Sequence, residues 1–403
     1  QSELLLRDTE MLSALALVTR GLAYPAPVLQ KLWKLVLTNQ FHDIIPGSSI
    51  GEVYQDSTKD YEWVLEQAAA LRENALHALT PEYLAPAADK VFVFNTLGFP
   101  RTEVVDLGGS LGLVSAPSLG YAVQTPATTT ETVSVTETET GFVLENTLLK
   151  AVFNRQGGLT SLIHQPTGRE SIEPGQAGNT FVLYEDLPNA WDAWDVDVFH
   201  LEKKLAMRGA ISAQIVESGP LRAAIAFEFA ISPHSALRQV VSLDALSARL
   251  DFACNADWHE KQKFLKVEFP LNVRAPFATY EIQFGHVQRP THFNTSYDMA
   301  RFEVPAHKWA DLSEPDFGMA LLNDCKYGYA AHGNVLRLSL LRAPTYPDPQ
   351  ADQGRHQFRF ALYPHRGSPQ SAGVTEAAYR FNVPLLTAKS GGQDLQQTFF
   401  SLD

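Results

Sequence analysis

The sequence predicts an α+β, multidomain protein: an N-terminal helical bundle followed by a mainly antiparallel β-sandwich region. Three observations carry this. The chain has 403 residues, beyond the size at which a single hydrophobic core usually stops growing. Up to about residue 85, apolar positions recur at three- and four-residue spacing, the period of an amphipathic helix. From Lys90 onward the period changes to two, as in Val91-Phe92-Val93-Phe94, and Gly, Pro and Asn punctuate short runs.

The first expected helix runs from about Glu3 to Arg20 and is closed by Gly21 and the breaker Tyr24-Pro25-Ala26-Pro27. A second, Val28 to about Phe41, is rich in Leu and carries Trp33; a turn at Pro46-Gly47 follows it. The third opens with Ser49 and Glu52 at capping-box spacing. It then sets Ile50, Val53, Tyr54, Tyr61, Val64, Leu65, Ala68, Leu71 and Leu79 on one stripe. Such a stripe needs a partner, and a three-helix bundle or a further domain would provide one.

The strand candidates include Leu148 to Phe153, Phe181 to Tyr184, Ala223 to Ala230, Phe264 to Phe269, Val335 to Ser339 and Phe358 to Leu362. Many short strands in succession indicate a large antiparallel sandwich. Thr125 to Gly141, rich in Thr and Glu, reads as an exposed strand pair or a linker. The expected domains are therefore 1–88 (helical), 89–140 (small β segment and linker) and 141–403 (large β-sandwich).

Apolar residues make up 45% of the chain and charged residues 19%. No apolar run is long enough for a membrane span, so no membrane partner is expected. The formal charge of −13 argues against nucleic acid, whose phosphates need a concentrated basic surface. Cys254 and Cys325 show no CxxC spacing, so neither a disulfide framework nor a thiolate zinc site is expected, and a reducing, cytoplasmic setting fits. The chain opens with Gln1 inside a helical pattern and reads as the later part of a longer protein.

The segment richest in chemistry is Asn39 to Ile50. There His42 and Asp43 stand at a helix end, immediately before a tight turn. A neutral imidazole is the commonest nitrogen ligand for a divalent metal, and a neighbouring carboxylate can accept hydrogen bonds from substrate hydroxyls. A helix-end cap, with His42 against the helix dipole, accounts for the same residues. Further along, Trp191-Asp192-Ala193-Trp194-Asp195 joins flat aromatic faces to carboxylates, a pairing suited to the C–H face and vicinal hydroxyls of a sugar. The alternative is that the Trp side chains pack a sandwich rim and the Asp side chains cap turns. His286 to His292 lacks a zinc spacing and reads as a loop that contacts another domain, and Asn323 to Gly328 reads as a strand-ending turn without chemistry.

Asn39 to Ile50, with Trp33 before it and Tyr54 after it, resembles the family 38 glycoside hydrolases, the α-mannosidases, in their cytosolic-type and bacterial branch. The resemblance continues through Glu145-Asn146 with Leu148, Gly158 to Leu162, Glu185 to Asp195, Glu281 to His286, Arg289 to His292, Arg301 to Val304, Leu321 to Gly328 and Leu338 to Pro344. It implies a retaining enzyme that hydrolyses terminal α-mannosides with two Asp carboxylates. It also implies a divalent metal, zinc with cobalt as the alternative, held by two His and two Asp. His42 matches one of those His ligands, and Asp43 matches the carboxylate that contacts the sugar. The nucleophile, the acid/base and the other three metal ligands are expected in an N-terminal catalytic domain upstream of Gln1, so no catalytic residue is assigned here and this chain alone is expected to be inactive. A non-catalytic carbohydrate-binding sandwich built on Trp191, Asp192, Trp194 and Asp195 is the competing reading, to which the helical region is superfluous. A purely structural assembly domain is a third, and a homo-oligomer is left open.

Overall fold

The computed structural model describes residues 1–81, 90–205 and 207–399. The expected end of the helical domain at residue 88 lies outside them. The chain forms two compact units: Gln1–Thr130 with Asn382–Asp403, and Glu131–Phe381. The division falls within the Thr- and Glu-rich stretch, and the last part of the sequence joins the helical unit, whereas the sequence reading placed it with the sandwich.

In the first unit three helices appear in the expected order: α1 (Ser2–Arg20), α2 (Ala26–Asn39) and α3 (Gly51–Leu79). Gly21 ends α1 at φ 72°, giving its amide to the carbonyls of Ala16 and Leu17, the left-handed stop that a residue without Cβ adopts most readily. Proline in the first turn of α2 replaces an amide that would have had no helical partner. The capping box at α3 does not form: Ile50 is the N-cap and no side chain caps the helix. The hydroxyl of Ser49 turns back to the carbonyl of Asp43 at 2.7 Å. Val64 and Ala68 of α3 pack with Leu6 of α1 and with Leu29, Leu32 and Val36 of α2. One turn and more later, Ala75, Leu76 and Leu79 join Leu12, Leu15 and Ala16 against Phe92, Phe94, Tyr121 and Leu386. The second half of the stripe is thus buried against a sheet, whereas Ile50 and Leu65, expected on the same stripe, are exposed, Ile50 because it is the N-cap outside the helix. That sheet is antiparallel, in the spatial order Leu386–Ser390, Lys90–Asn95, Gly120–Gln124, Leu395–Thr398.

The sheets of the second unit are antiparallel. Its largest sheet has nine strands, with Leu250–Trp258, Gly354–Arg366 and Phe317–Asn323 side by side at the centre. A six-stranded sheet contains Thr180–Glu185, Lys263–Pro270 and Val335–Arg342 as neighbours. A five-stranded sheet begins at Ser134–Glu137, so the Thr- and Glu-rich stretch contributes an exposed edge strand, while Val133 beside it is buried. One apolar core unites the three sheets, with Phe153, Phe227, Phe252, Phe269 and Phe360 among its members. Leu250–Trp258 alternates buried and accessible residues, as a strand with one covered face must. Phe317–Asn323 is buried at every position. Its second face carries Ala320 and Leu322, covered by Val374, Ala377, Ala378 and Phe381 of a short helix. No helix among the described residues is long and apolar enough to cross a membrane.

Candidate sugar and metal contacts

The sequence candidates fall in two clusters, one in each unit. In the helical unit, α2 ends at Asn39 and the chain enters a turn. The amides of Gln40 and Phe41 reach back to the carbonyls of Val36, Leu37 and Thr38. Backbone therefore closes the helix, and His42 stands two residues beyond the C-cap, outside the last helical turn. The amides of Ile44 and Ile45 return to Phe41 O, and Gly47 takes φ 85°, which completes the reversal.

Side chains from the start of α3 hold this turn from the far side. The Tyr54 hydroxyl accepts the Ser49 amide at 2.8 Å and lies 3.2 Å from Asp43 O and 3.3 Å from Ile44 O. The buried Ser48 hydroxyl is 3.3 Å from Asp43 Oδ1. Asn39, also buried, bonds Leu35 O and the Asp60 carboxylate, each at 3.0 Å. The turn is thereby a supported element, and what it projects is His42. That imidazole is 77% exposed, tilts against Phe41 at 4.3 Å between centroids, and has Nε2 3.4 Å from Asp43 Oδ2. Phe41, Ile45 and Ile50 of the same segment are exposed apolar side chains.

A stable zinc site takes three or four protein ligands. Among the described residues no group of three or more His, Cys, Asp or Glu is arranged to hold a metal. The turn offers one imidazole with one carboxylate beside it, so the described residues of this chain do not by themselves fit a complete metal centre.

In the β unit, Trp191 to Asp195 forms a closed turn after the strand Thr180–Glu185. Trp191 takes φ 57°, and its carbonyl accepts the amides of Trp194 at 2.8 Å and Asp195 at 2.9 Å. This sets the two indoles edge to face, 5.9 Å between centroids at 83°. Both are exposed, Trp191 at 66% and Trp194 at 43%, so they do not pack the sandwich rim. Asp195 is exposed as well. Asp192 faces inward: Oδ2 accepts the amide and hydroxyl of Thr345 at 2.6 and 2.9 Å, and Oδ1 is buried without a hydrogen-bond partner.

Below this turn Val196 and Leu201 pack on Val182, Tyr184 and Phe264 of the six-stranded sheet. There the fully buried Lys266 ammonium is paired with the Glu303 carboxylate, which also accepts the Ser339 hydroxyl. Burial holds Lys266 below the ordinary lysine range, against the pull of Glu303. His200, 1% exposed, bonds Asp197 O through Nδ1 at 2.8 Å and leaves Nε2 buried and unpartnered. Burial, reinforced by the Lys266 charge, pushes its pKa down.

The His286 segment is not a loop. Gly285–Pro290 is the edge strand of a hairpin with Phe277–Ile282, and His286 lies 3.1 Å from Gln370. Asn323 to Gly328 does follow a strand end, where Asn323 caps the Lys326 amide at 2.8 Å. Tyr54, Arg342 and Thr345 organise the two clusters; the sequence placed Tyr54 only on the apolar stripe of α3 and beside the matched segment, and gave Arg342 and Thr345 no role. Arg342 falls inside the matched stretch Leu338 to Pro344, but nothing in a strand-ending Arg tells which backbone it will hold.

Residues 1–79 match the family model for the alpha mannosidase middle domain, and residues 144–350 match that for the glycosyl hydrolases family 38 C-terminal domain. The chain belongs to glycosyl hydrolase family 38. Alpha-mannosidase 2C1 of Homo sapiens is 47% identical over 400 residues, which cover 96% of this chain and 38% of that protein. Alpha-mannosidase G of Dictyostelium discoideum is 36% identical over 441 residues, covering 94% of this chain and 40% of that protein. The crystal structure of an alpha-mannosidase from Enterococcus faecalis V583 superposes with a TM-score of 0.80 at 15% identity, over 98% of this chain and 57% of that one, which shows a shared fold. The chain spans less than half the length of these curated relatives.

Proposed function

We propose that this chain is the later part of a retaining, metal-dependent α-mannosidase that removes terminal α-mannose residues. The observation that supports it most is the turn after α2 in a family 38 chain, where a braced backbone presents an exposed imidazole with a carboxylate 3.4 Å away. On this reading His42 supplies one ligand to a divalent metal, zinc or alternatively cobalt. The other ligands, the nucleophile and the acid/base come from an N-terminal catalytic domain, for which the short span relative to the family members leaves room. The metal, when bound, supplies a Lewis acid for sugar hydroxyls. Asp43 accepts a hydrogen bond from a mannose hydroxyl, a charge-assisted contact stronger than a neutral one.

In the β unit, Trp191 and Trp194 offer exposed ring faces to the C–H surface of a sugar and Asp195 a carboxylate to its hydroxyls. Asp192 takes part by fixing the turn through Thr345. A cytoplasmic location fits the two thiols, which form no disulfide.

The test is hydrolysis of 4-nitrophenyl α-mannoside by this chain and by the same chain extended upstream through the further domain. The extended protein should turn over and the short chain should not, with zinc or cobalt added. Turnover by the short chain, or none by the extended protein, overturns the proposal.

A further inference from the structure

We propose that Arg342 is a positioning residue for the Trp191–Trp194 turn: anchored on Asp186, its guanidinium fixes the backbone that sets the two indoles. Its importance for the sugar rests on the contact proposed above; the clamp itself rests on geometry alone.

Arg342 is the last residue of the strand Val335–Arg342. Its Nε donates to Asp186 Oδ2 at 2.7 Å, and Nη2 donates to the carbonyls of Asp192 at 3.1 Å and Asp195 at 2.9 Å. Asp186 is 2% exposed and its amide bonds Gln262 O at 3.0 Å, so the carboxylate that orients the guanidinium belongs to the rigid sheet end. Three residues after Arg342, Thr345 takes Asp192 Oδ2 with both amide and hydroxyl. One strand end therefore grips both ends of the turn.

The turn needs such a grip. Trp191 sits in the left-handed region, which is unfavourable for a bulky residue and persists only where the surroundings impose it. The two carbonyls that Arg342 holds lie before and after Trp194 in the chain, so releasing them frees the backbone that carries the 5.9 Å edge-to-face pair. A planar fork with several fixed donors serves a carboxylate and two carbonyls at once; a lysine ammonium reaches Asp186 but does not reproduce the fork.

The experiment uses this chain with Arg342→Lys, Arg342→Ala and Thr345→Val. The exciton band of the indole pair in circular dichroism, assigned by its loss in Trp194→Phe, reports the pair. Hydrogen exchange at the amides of Trp194 and Asp195 reports the turn. Arg342→Lys should abolish the band and speed exchange at both amides at least tenfold, with the melting temperature and the exchange of the central sheet strands unchanged. Arg342→Ala should do the same where it folds. Thr345→Val should give a smaller change, because Arg342 still holds both carbonyls. An unchanged band and unchanged exchange in Arg342→Lys overturn the proposal. A separate arm titrates the chain with methyl α-mannoside and follows the indole N–H resonances. Shifts in the parent chain that vanish in Arg342→Lys extend the clamp to sugar binding. Absence of shifts in the parent chain, with the band lost in Arg342→Lys, removes the sugar contact and leaves the clamp standing.

Discussion

The Tyr54 hydroxyl accepts the amide proton of Ser49 at 2.8 Å, so the first turn of α3 is bonded back onto the reversal that presents His42 and Asp43. The same oxygen lies within hydrogen-bond reach of the Asp43 and Ile44 carbonyls. Tyr54→Phe keeps the ring and removes only this bridge. It should lower stability by about 1 kcal/mol, the usual net worth of a hydrogen bond, as measured by urea denaturation. It should also speed exchange of the Ser49 amide before that of the α3 interior. Equal protection of Ser49 in both proteins would show that the turn does not depend on Tyr54.

His200 should make the protein sensitive to acid. Its Nδ1–H donates to Asp197 O, which leaves Nε2 as the site that gains a proton, buried without an acceptor and near the Lys266 charge. The folded pKa is therefore lower than the unfolded value of about 6.5. Below that value the unfolded chain binds a proton that the folded chain resists, so the stability tied to neutral His200 is present above it and lost as pH falls through it toward the folded pKa. Replacing His200 by Gln should lower stability at pH 8 and flatten the decline in denaturation midpoint between pH 7 and 5. An identical slope in both proteins would exclude His200 as a source of the dependence.

Both thiols should resist thiol–disulfide exchange in the native state. Burial pushes Cys254 and Cys325 up to about 12, so at pH 8 the thiolate fraction is on the order of one in ten thousand. Ellman's reagent should find neither in the folded protein and both after unfolding in guanidinium. Cys254 is buried and Cys325 half-buried, and rapid titration of either thiol before unfolding would contradict the raised pKa.

How far the sequence reached depended on where the determining contacts lie along the chain. The helices were legible because their signals are local: a 3.6-residue stripe, proline in the first turn of α2 and Gly21 at the end of α1. Strands such as Arg222–Ala230 and Lys263–Pro270 were legible from short apolar runs between breakers. The pairing of Lys90–Asn95 with Leu386–Ser390 was not, because no local pattern tells a strand to seek a partner almost three hundred residues away. The capping box failed because the helix starts one residue later than expected: Ile50 is the N-cap, which has no side-chain acceptor, and the Ser49 hydroxyl donates to Asp43 O instead. His42 and Asp43 stood out by residue type and family resemblance, whereas Arg342 did not, since its role is fixed by carbonyls at positions 192 and 195 that carry no sequence signal.

Replacing His42 should act differently from replacing Asp43, although the two side chains lie 3.4 Å apart. In the complete enzyme proposed above, His42→Ala removes one metal ligand. Bound metal should fall after dialysis, activity should fall with it, and excess zinc should restore part of both, because affinity and not chemistry has been weakened. Asp43→Asn keeps the size and removes the charge. Metal content should stay full, while kcat/KM falls as a charge-assisted hydrogen bond to a hydroxyl becomes a neutral one, and added metal should give no rescue. A helix-capping role predicts something else: each substitution would cost about 1 kcal/mol or less of stability, with metal content and kinetics unchanged. The backbone amides that already close α2 weigh against capping, since His42 stands beyond the last helical turn. Metal analysis, thermal denaturation and kinetics on both variants separate the two cases. Full occupancy with normal turnover in His42→Ala would remove His42 from the metal site, and zinc rescue of Asp43→Asn would move Asp43 from the sugar to the metal.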